Sequence, residues 1–147
     1  MSEYVQGFVL PVPAKNLKAY KKMADSACKA WMKYGALDYR ECYLTEDHKK
    51  DCKLPFPKLA GTKKGETVVF AWITYKSKKD AERIMKKVMA DTSIECDENN
   101  MPFDMNRMTF GGFDPFVSSN NLKKSKAKAK AKPKKKTSKP TVVRNKS

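Results

Sequence analysis

Histidine is almost missing from this chain. His48 is the only one, and a Ser-His-Asp relay or a His-rich metal site cannot be built around it without inventing partners. It sits in EDHKKDC, a charged stretch that reads as an exposed loop. Cysteine is sparse, with Cys28, Cys42, Cys52 and Cys96. No two of them make a CxxC pair, so neither a disulfide scaffold nor a zinc module is implied. No metal and no cofactor is expected. Cys52, between Asp51 and Lys53 in a lysine-rich segment, is the best placed of the four for reactivity, but it reads as an inert surface thiol. No apolar run approaches the roughly 18 residues of a membrane span. The opening MSEYVQGFVLPVP lacks a basic n-region and has too short an apolar run for a secretory signal. An intracellular protein is expected, cytoplasmic, or nuclear in a eukaryotic host. There is no GxGxxG, no Walker loop and no RNP1 pattern. DENNMPFD at 97–104 fails the EF-hand pattern, because Met101 takes a ligand position and no glycine follows.

Acid is scarce in one place only. Residues 123–147 carry eleven Lys and one Arg and no acid, a net +12, which leaves +4 for the preceding residues. The charge divides the chain into a folded domain, 1–122, and a lysine-rich tail, 123–147.

Within the domain, hydrophobic period orders the elements. Tyr4 to Leu10 is β-prone, and Pro11 and Pro13 are expected to end it. From Ala14 the apolar positions Leu17, Tyr20, Met23/Ala24, Ala27/Cys28, Trp31 and Tyr34 recur every three to four residues among lysines. They predict an amphipathic helix that stops at Gly35. Leu37 to Leu44 predicts a strand, and residues 45–66, rich in Pro, Gly and Lys, a loop. TVVFAWITY at 67–75 is β-branched and aromatic throughout, the signature of a strand covered on both faces. Ser77 caps a second helix with Asp80 three residues on, and Ala81, Ile84/Met85 and Val88/Met89 form its inner face. A last strand is expected over about Arg107 to Phe113, with Gly111-Gly112 marking a bulge or a close backbone approach.

The order β-α-β-β-α-β predicts an α+β, ferredoxin-like fold, an antiparallel sheet with both helices on one face. Strand alternation assigns Val5, Gly7, Val9, Val69, Ala71 and Ile73 to the helix side. It turns Gln6, Phe8, Leu10, Phe70 and Trp72 outward. An aromatic sheet face left in water is unfavourable by about 1.5–3 kcal/mol per side chain, so a homodimer closing two sheets face to face is expected.

Four blocks, GFVLPVP (7–13), YGALDYREC (34–42), ETVVFAWITYKS (66–77) and MPFDMNRMTFGGFDPFV (101–117), together resemble the YbaA-like family of small, mostly bacterial proteins of unknown function. The resemblance runs from Tyr4 to about Val117 and implies a dimeric α/β barrel. It implies no reaction and transfers no catalytic position.

The space between the two sheets of such a dimer is the predicted pocket, suited to a small apolar ligand. Its expected wall is Gln6, Phe8, Phe70 and Trp72, with Arg107 from the last strand and Glu41 from the second, or Arg40 in its place if the alternation is one residue out of step.

The tail has almost no large apolar residue and cannot fold alone, so it is expected to be disordered. Its composition is similar to that of linker-histone tails. Lys123, Lys124, Lys126, Lys128, Lys130, Lys132, Lys134, Lys135, Lys136, Lys139, Arg144 and Lys146 are point charges suited to phosphates but not to base edges. Non-specific DNA or RNA binding is the expected use. KPKKKTSKP also resembles an import signal, whereas no amphipathic or lipidated anchor accompanies the charge to favour a membrane.

Overall fold

A computed structural model describes residues 3–94, 99–120 and 122. The chain divides into two units, Met1–Pro115 and Phe116–Ser147. The expected basic tail, and with it every lysine proposed to meet nucleic acid, lies outside the described residues.

The first unit follows the predicted order. Strand β1 (Tyr4–Pro13) runs through a 3-10 turn into helix α1 (Leu17–Lys33), then strand β2 (Asp38–Tyr43). A short helix α2 (Phe56–Ala60) follows, then strand β3 (Glu66–Tyr75), helix α3 (Lys78–Ala90) and strand β4 (Thr109–Phe113). The sheet order is β2-β3-β1-β4 and every neighbouring pair is antiparallel. This is the ferredoxin-like α+β arrangement.

Two core clusters lie between the sheet and the long helices. Ile73 and Tyr75 pack with Ala30, Ala36, Ala81, Ile84 and Val88. Leu10, Val12 and Val69 pack with Tyr20 and Ala24. The predicted helix faces are the buried ones, except that Met89 is largely exposed. Gly35 ends α1 with φ 115°, a conformation that favours glycine. At the start of α3 the Ser77 hydroxyl accepts from the Asp80 N–H at 3.1 Å. Only half of the expected capping box forms, because Asp80 turns its carboxylate to Arg83 at 2.8 Å.

Four expectations need correction. First, β1 does not stop at Leu10 but pairs with β3 as far as Pro13 opposite Glu66. Ala14 N–H donates to Gly65 O at 2.8 Å, so the even positions of β1 bond to β3 and the odd ones point toward β4. β4 ends opposite Val9, and Pro11 and Pro13 therefore lack an N–H only where no strand waits for one. Second, the alternation of β1 is one residue out of step with the expectation. Phe8, Leu10 and Val12 pack on the helix side, while Val5, Gly7 and Val9 face away. The helices present alanines there (Ala24, Ala30, Ala81), and the small residues make room for the large strand side chains. Third, the 45–66 segment contains α2, with Pro55 as N-cap and Pro57 in its first turn. α2 packs on the sheet face opposite α1 and α3, where it buries Pro11 and Val68. Fourth, Arg107 lies in a 3-10 turn ahead of β4, not on the strand.

The register through Gly111-Gly112 is unbroken, so there is no bulge. The close approach is real: a Cβ on Gly112 would collide with the Tyr4 phenol.

Candidate functional site

The six residues expected to share one wall do not share one. Gln6 lies on the helix side, where its Oε1 accepts from Tyr75 Oη at 2.6 Å. Trp31 Nε1 in turn donates to Tyr75 Oη at 2.8 Å, and burial pushes the Tyr75 phenol up to about 12. Phe8 stacks on Phe110 with ring centroids 6.0 Å apart. Phe70 and Trp72 remain on the open face, in a ladder with Phe56 of α2, at 6.1 Å and 5.4 Å between centroids. Arg40, not Glu41, is the β2 residue opposite Trp72 there. Arg107 is spent on a bidentate clamp: Nη1 and Nη2 donate to Glu66 Oε2 and Oε1 at 2.7 and 2.8 Å, and Nη2 also to Gly61 O at 2.7 Å. The clamp holds the Glu66 carboxyl down to about 2.

Glu41 stands elsewhere, and its surroundings form the most developed site among the described residues. Tyr39 and Glu41, two apart on β2, face the same side by strand alternation. α1 crosses above them and brings Tyr20 down from its inner stripe. Tyr20 Oη donates to Glu41 Oε1 at 2.5 Å and Tyr39 Oη donates to Glu41 Oε2 at 2.7 Å. Both oxygens of a half-buried carboxylate are thus held by phenols.

A cleft of about 490 Å³ opens between α1 and β2 at this point. Leu17, Ala24 and Val69 give it apolar walls, Tyr20, Tyr39 and Tyr43 line it with rings, and Lys18, Lys21 and Asp25 stand at its rim. Lys21 and Asp25 are paired with each other at 2.9 Å.

The electrostatics follow from burial and from Glu41. Burial first, then the Glu41 charge and its hydrogen bond, push the Tyr20 and Tyr39 phenols far above their ordinary value. They remain protonated donors. Cys28 also lines the cleft, and its thiol is raised by burial and then by Asp25, Glu41 and Asp38. A thiol pushed up in this way is a poor nucleophile. Glu41 accepts one hydrogen bond on each carboxylate oxygen. It keeps lone pairs for a third donor. The arrangement is therefore suited to binding a donor.

Tyr20 was read from the sequence as part of an apolar stripe, and its polar end was not anticipated. The pairing of Tyr39 with Glu41 was within reach from the i, i+2 spacing alone.

The remaining candidates stay apart. His48 is an exposed loop residue with positive φ (43°), and its Nδ1 lies 3.4 Å from Asp51. Cys52 is exposed and its Sγ lies 3.5 Å from His48 O. Cys96 lies outside the described residues. Among the described residues, no three His, Cys, Asp or Glu side chains gather to hold a metal ion. No described helix is long and apolar enough to cross a membrane.

Comparison with known proteins gives a family but no activity. The profile described as "Protein of unknown function (DUF1428)" matches residues 3–105. The "Uncharacterized protein YbaA" of Escherichia coli K12 is 36% identical over 116 residues, 78% of this chain and 97% of that one. The protein of the same name from Shigella flexneri matches equally well. Two crystal structures of dimeric ferredoxin-like proteins from uncultured marine organisms each cover 80% of this chain. One is matched over 99% of its own length with TM-score 0.49 and 9% identity. The other is matched over 91% with TM-score 0.48 and 6% identity. The fold assignment stands on the sheet order, independently of these two.

Proposed function

Because the chain belongs to the DUF1428 family, whose function is unknown, we propose a function from its own surfaces: a homodimer that binds a small organic molecule in the cleft between α1 and β2. The observation that carries this reading is the Tyr20–Glu41–Tyr39 arrangement at the bottom of an apolar-walled cleft. A few convergent polar groups in a mostly apolar concavity are the usual form of a ligand site. The volume is within the range of such sites, roughly 300–1,000 Å³. A fragment library screened by ligand-observed NMR, with Glu41→Gln as counter-screen, tests it. Hits that disappear in the variant support the site. A library without a single hit sensitive to Glu41→Gln overturns it.

The dimer is proposed on the open face. Phe70 is 44% exposed and Phe113 61% exposed there, and α2 covers only the end around Pro11 and Val68. A second copy is the simplest cover for a sheet face of this kind, and two such faces would close a barrel.

A second reading concerns the +12 of residues 123–147. We propose that this segment binds nucleic acid without sequence preference. About 6–12 phosphate contacts would give a slope of log K against log salt near −5 to −11. Titration of duplex DNA and single-stranded RNA against the full chain and a 1–122 truncation decides this. Equal affinity of the two proteins would exclude a role for the segment.

A further inference from the structure

We propose that the cleft takes an organic ammonium, a protonated amine on an apolar body, with Glu41 as its counter-ion. This rests on the cleft being a ligand site and names what enters it.

Glu41 is half-buried, and among the described residues it forms no ion pair. Its partners, Tyr20 and Tyr39, are neutral phenols. A carboxylate partly withdrawn from water with no cation beside it is an unfavourable arrangement. A ligand ammonium placed in the cleft would supply the missing charge, and a charge-assisted hydrogen bond is about twice as strong as a neutral one. The rings of Tyr20, Tyr39 and Tyr43 line the same space, and tyrosine faces attract an ammonium within about 6 Å. Leu17, Ala24 and Val69 would pack on the apolar remainder of the ligand.

Cys28 reports the local field. Burial first, then the charges of Asp25, Glu41 and Asp38, raise its thiol, so three carboxylates act on that wall in a protein whose net charge is +16. Lys21 is committed to Asp25 at 2.9 Å, and Lys18 is exposed and makes no ion pair with Glu41. A divalent metal is a poor alternative, since among the described residues no three His, Cys, Asp or Glu side chains gather to hold one.

Three probes of one shape separate the possibilities: phenethylamine, 2-phenylethanol and 3-phenylpropionate, each titrated into the full-length protein at neutral pH and followed by amide NMR shifts. Phenethylamine is expected to move resonances of α1 and β2 and to bind about tenfold or more tightly than the alcohol, a difference of about 1.4 kcal/mol. The propionate is expected to bind more weakly still. Glu41→Gln is expected to bring the amine to the level of the alcohol. If that variant does not fold, the wild-type ranking still decides. The alcohol or the propionate binding at the same resonances as tightly as the amine would overturn the ammonium assignment and leave the cleft as a ligand site. No shift in α1 or β2 with any of the three would overturn both.

Discussion

Phe70→Asp is expected to break the proposed dimer, and the size of the effect follows from the sheet. β1 and β3 have ten residues each, β2 six and β4 five. At about 3.4 Å per residue and about 4.8 Å between strands, the face measures roughly 500 Å² per copy. Since α2 covers one end of that face, the pair would bury somewhat less than about 1,000 Å², the lower limit of a specific interface. Phe70 is 44% exposed, so of the roughly 200 Å² of an aromatic side chain it leaves about 90 Å² for a partner. At about 25 cal/mol per Å² this is about 2 kcal/mol per ring, or about 4 kcal/mol over the two copies. That corresponds to roughly a thousandfold in the dimer dissociation constant. An aspartate adds an unpaired charge to each half of the interface and moves the equilibrium further. Sedimentation equilibrium over a wide concentration range reads the change. Circular dichroism controls for the loss of the Phe56–Phe70–Trp72 stacking within the monomer. A folded variant that self-associates like the wild type, or a wild type that is monomeric throughout, would refute the assignment of this face.

Four further outcomes are expected. Tyr20→Phe removes the donor to Glu41 Oε1 and should lower unfolding stability by about 1.5–3 kcal/mol, measured by urea denaturation. In the wild type, the tyrosinate absorbance of Tyr20 and Tyr39 should appear only when alkali unfolds the chain, since both phenols are pushed up. The Glu66 carboxyl is held down to about 2 from an ordinary 4.5, chiefly by its hydrogen bonds from Arg107. The stability from that clamp is therefore complete above about 4.5 and is lost as pH falls through the folded value. The gap in urea stability between wild type and Arg107→Met should narrow from neutral pH into that acid range, and a gap independent of pH would contradict the clamp. Gly112→Ala drives a methyl into the Tyr4 phenol and should destabilise by about 1–3 kcal/mol. Adding Tyr4→Ala should recover part of the loss in thermal denaturation.

How much the sequence disclosed differs from strand to strand. β3 was legible in place and in phase, because TVVFAWITY is unbroken and its small residues, Val69, Ala71 and Ile73, do lie under the helices. β1 was legible as a strand but not in phase. Val5 and Val9 on one face and Phe8 and Leu10 on the other are all apolar, so alternation carried no contrast, and size alone pointed the wrong way. α2 was hidden by its length of five residues among prolines, glycines and lysines, where turn signals outweigh helical period. The site was missed in part because Glu41 was assigned to the open face. The helix α1 that covers it supplies Tyr20 from a stripe that periodicity can only describe as apolar. The distance between Tyr20 and Glu41 is a tertiary fact, set by how α1 crosses β2.

Pro11 and Pro13 close β1 on the side where β4 has ended. Along that margin the backbone offers carbonyls but, at those two positions, no donors. A strand from a misfolded neighbour cannot zip onto it, and β4 cannot lengthen past Val9 by recruiting the residues before it. The same two residues that sequence reading takes as the end of a strand act instead as a guard on its edge.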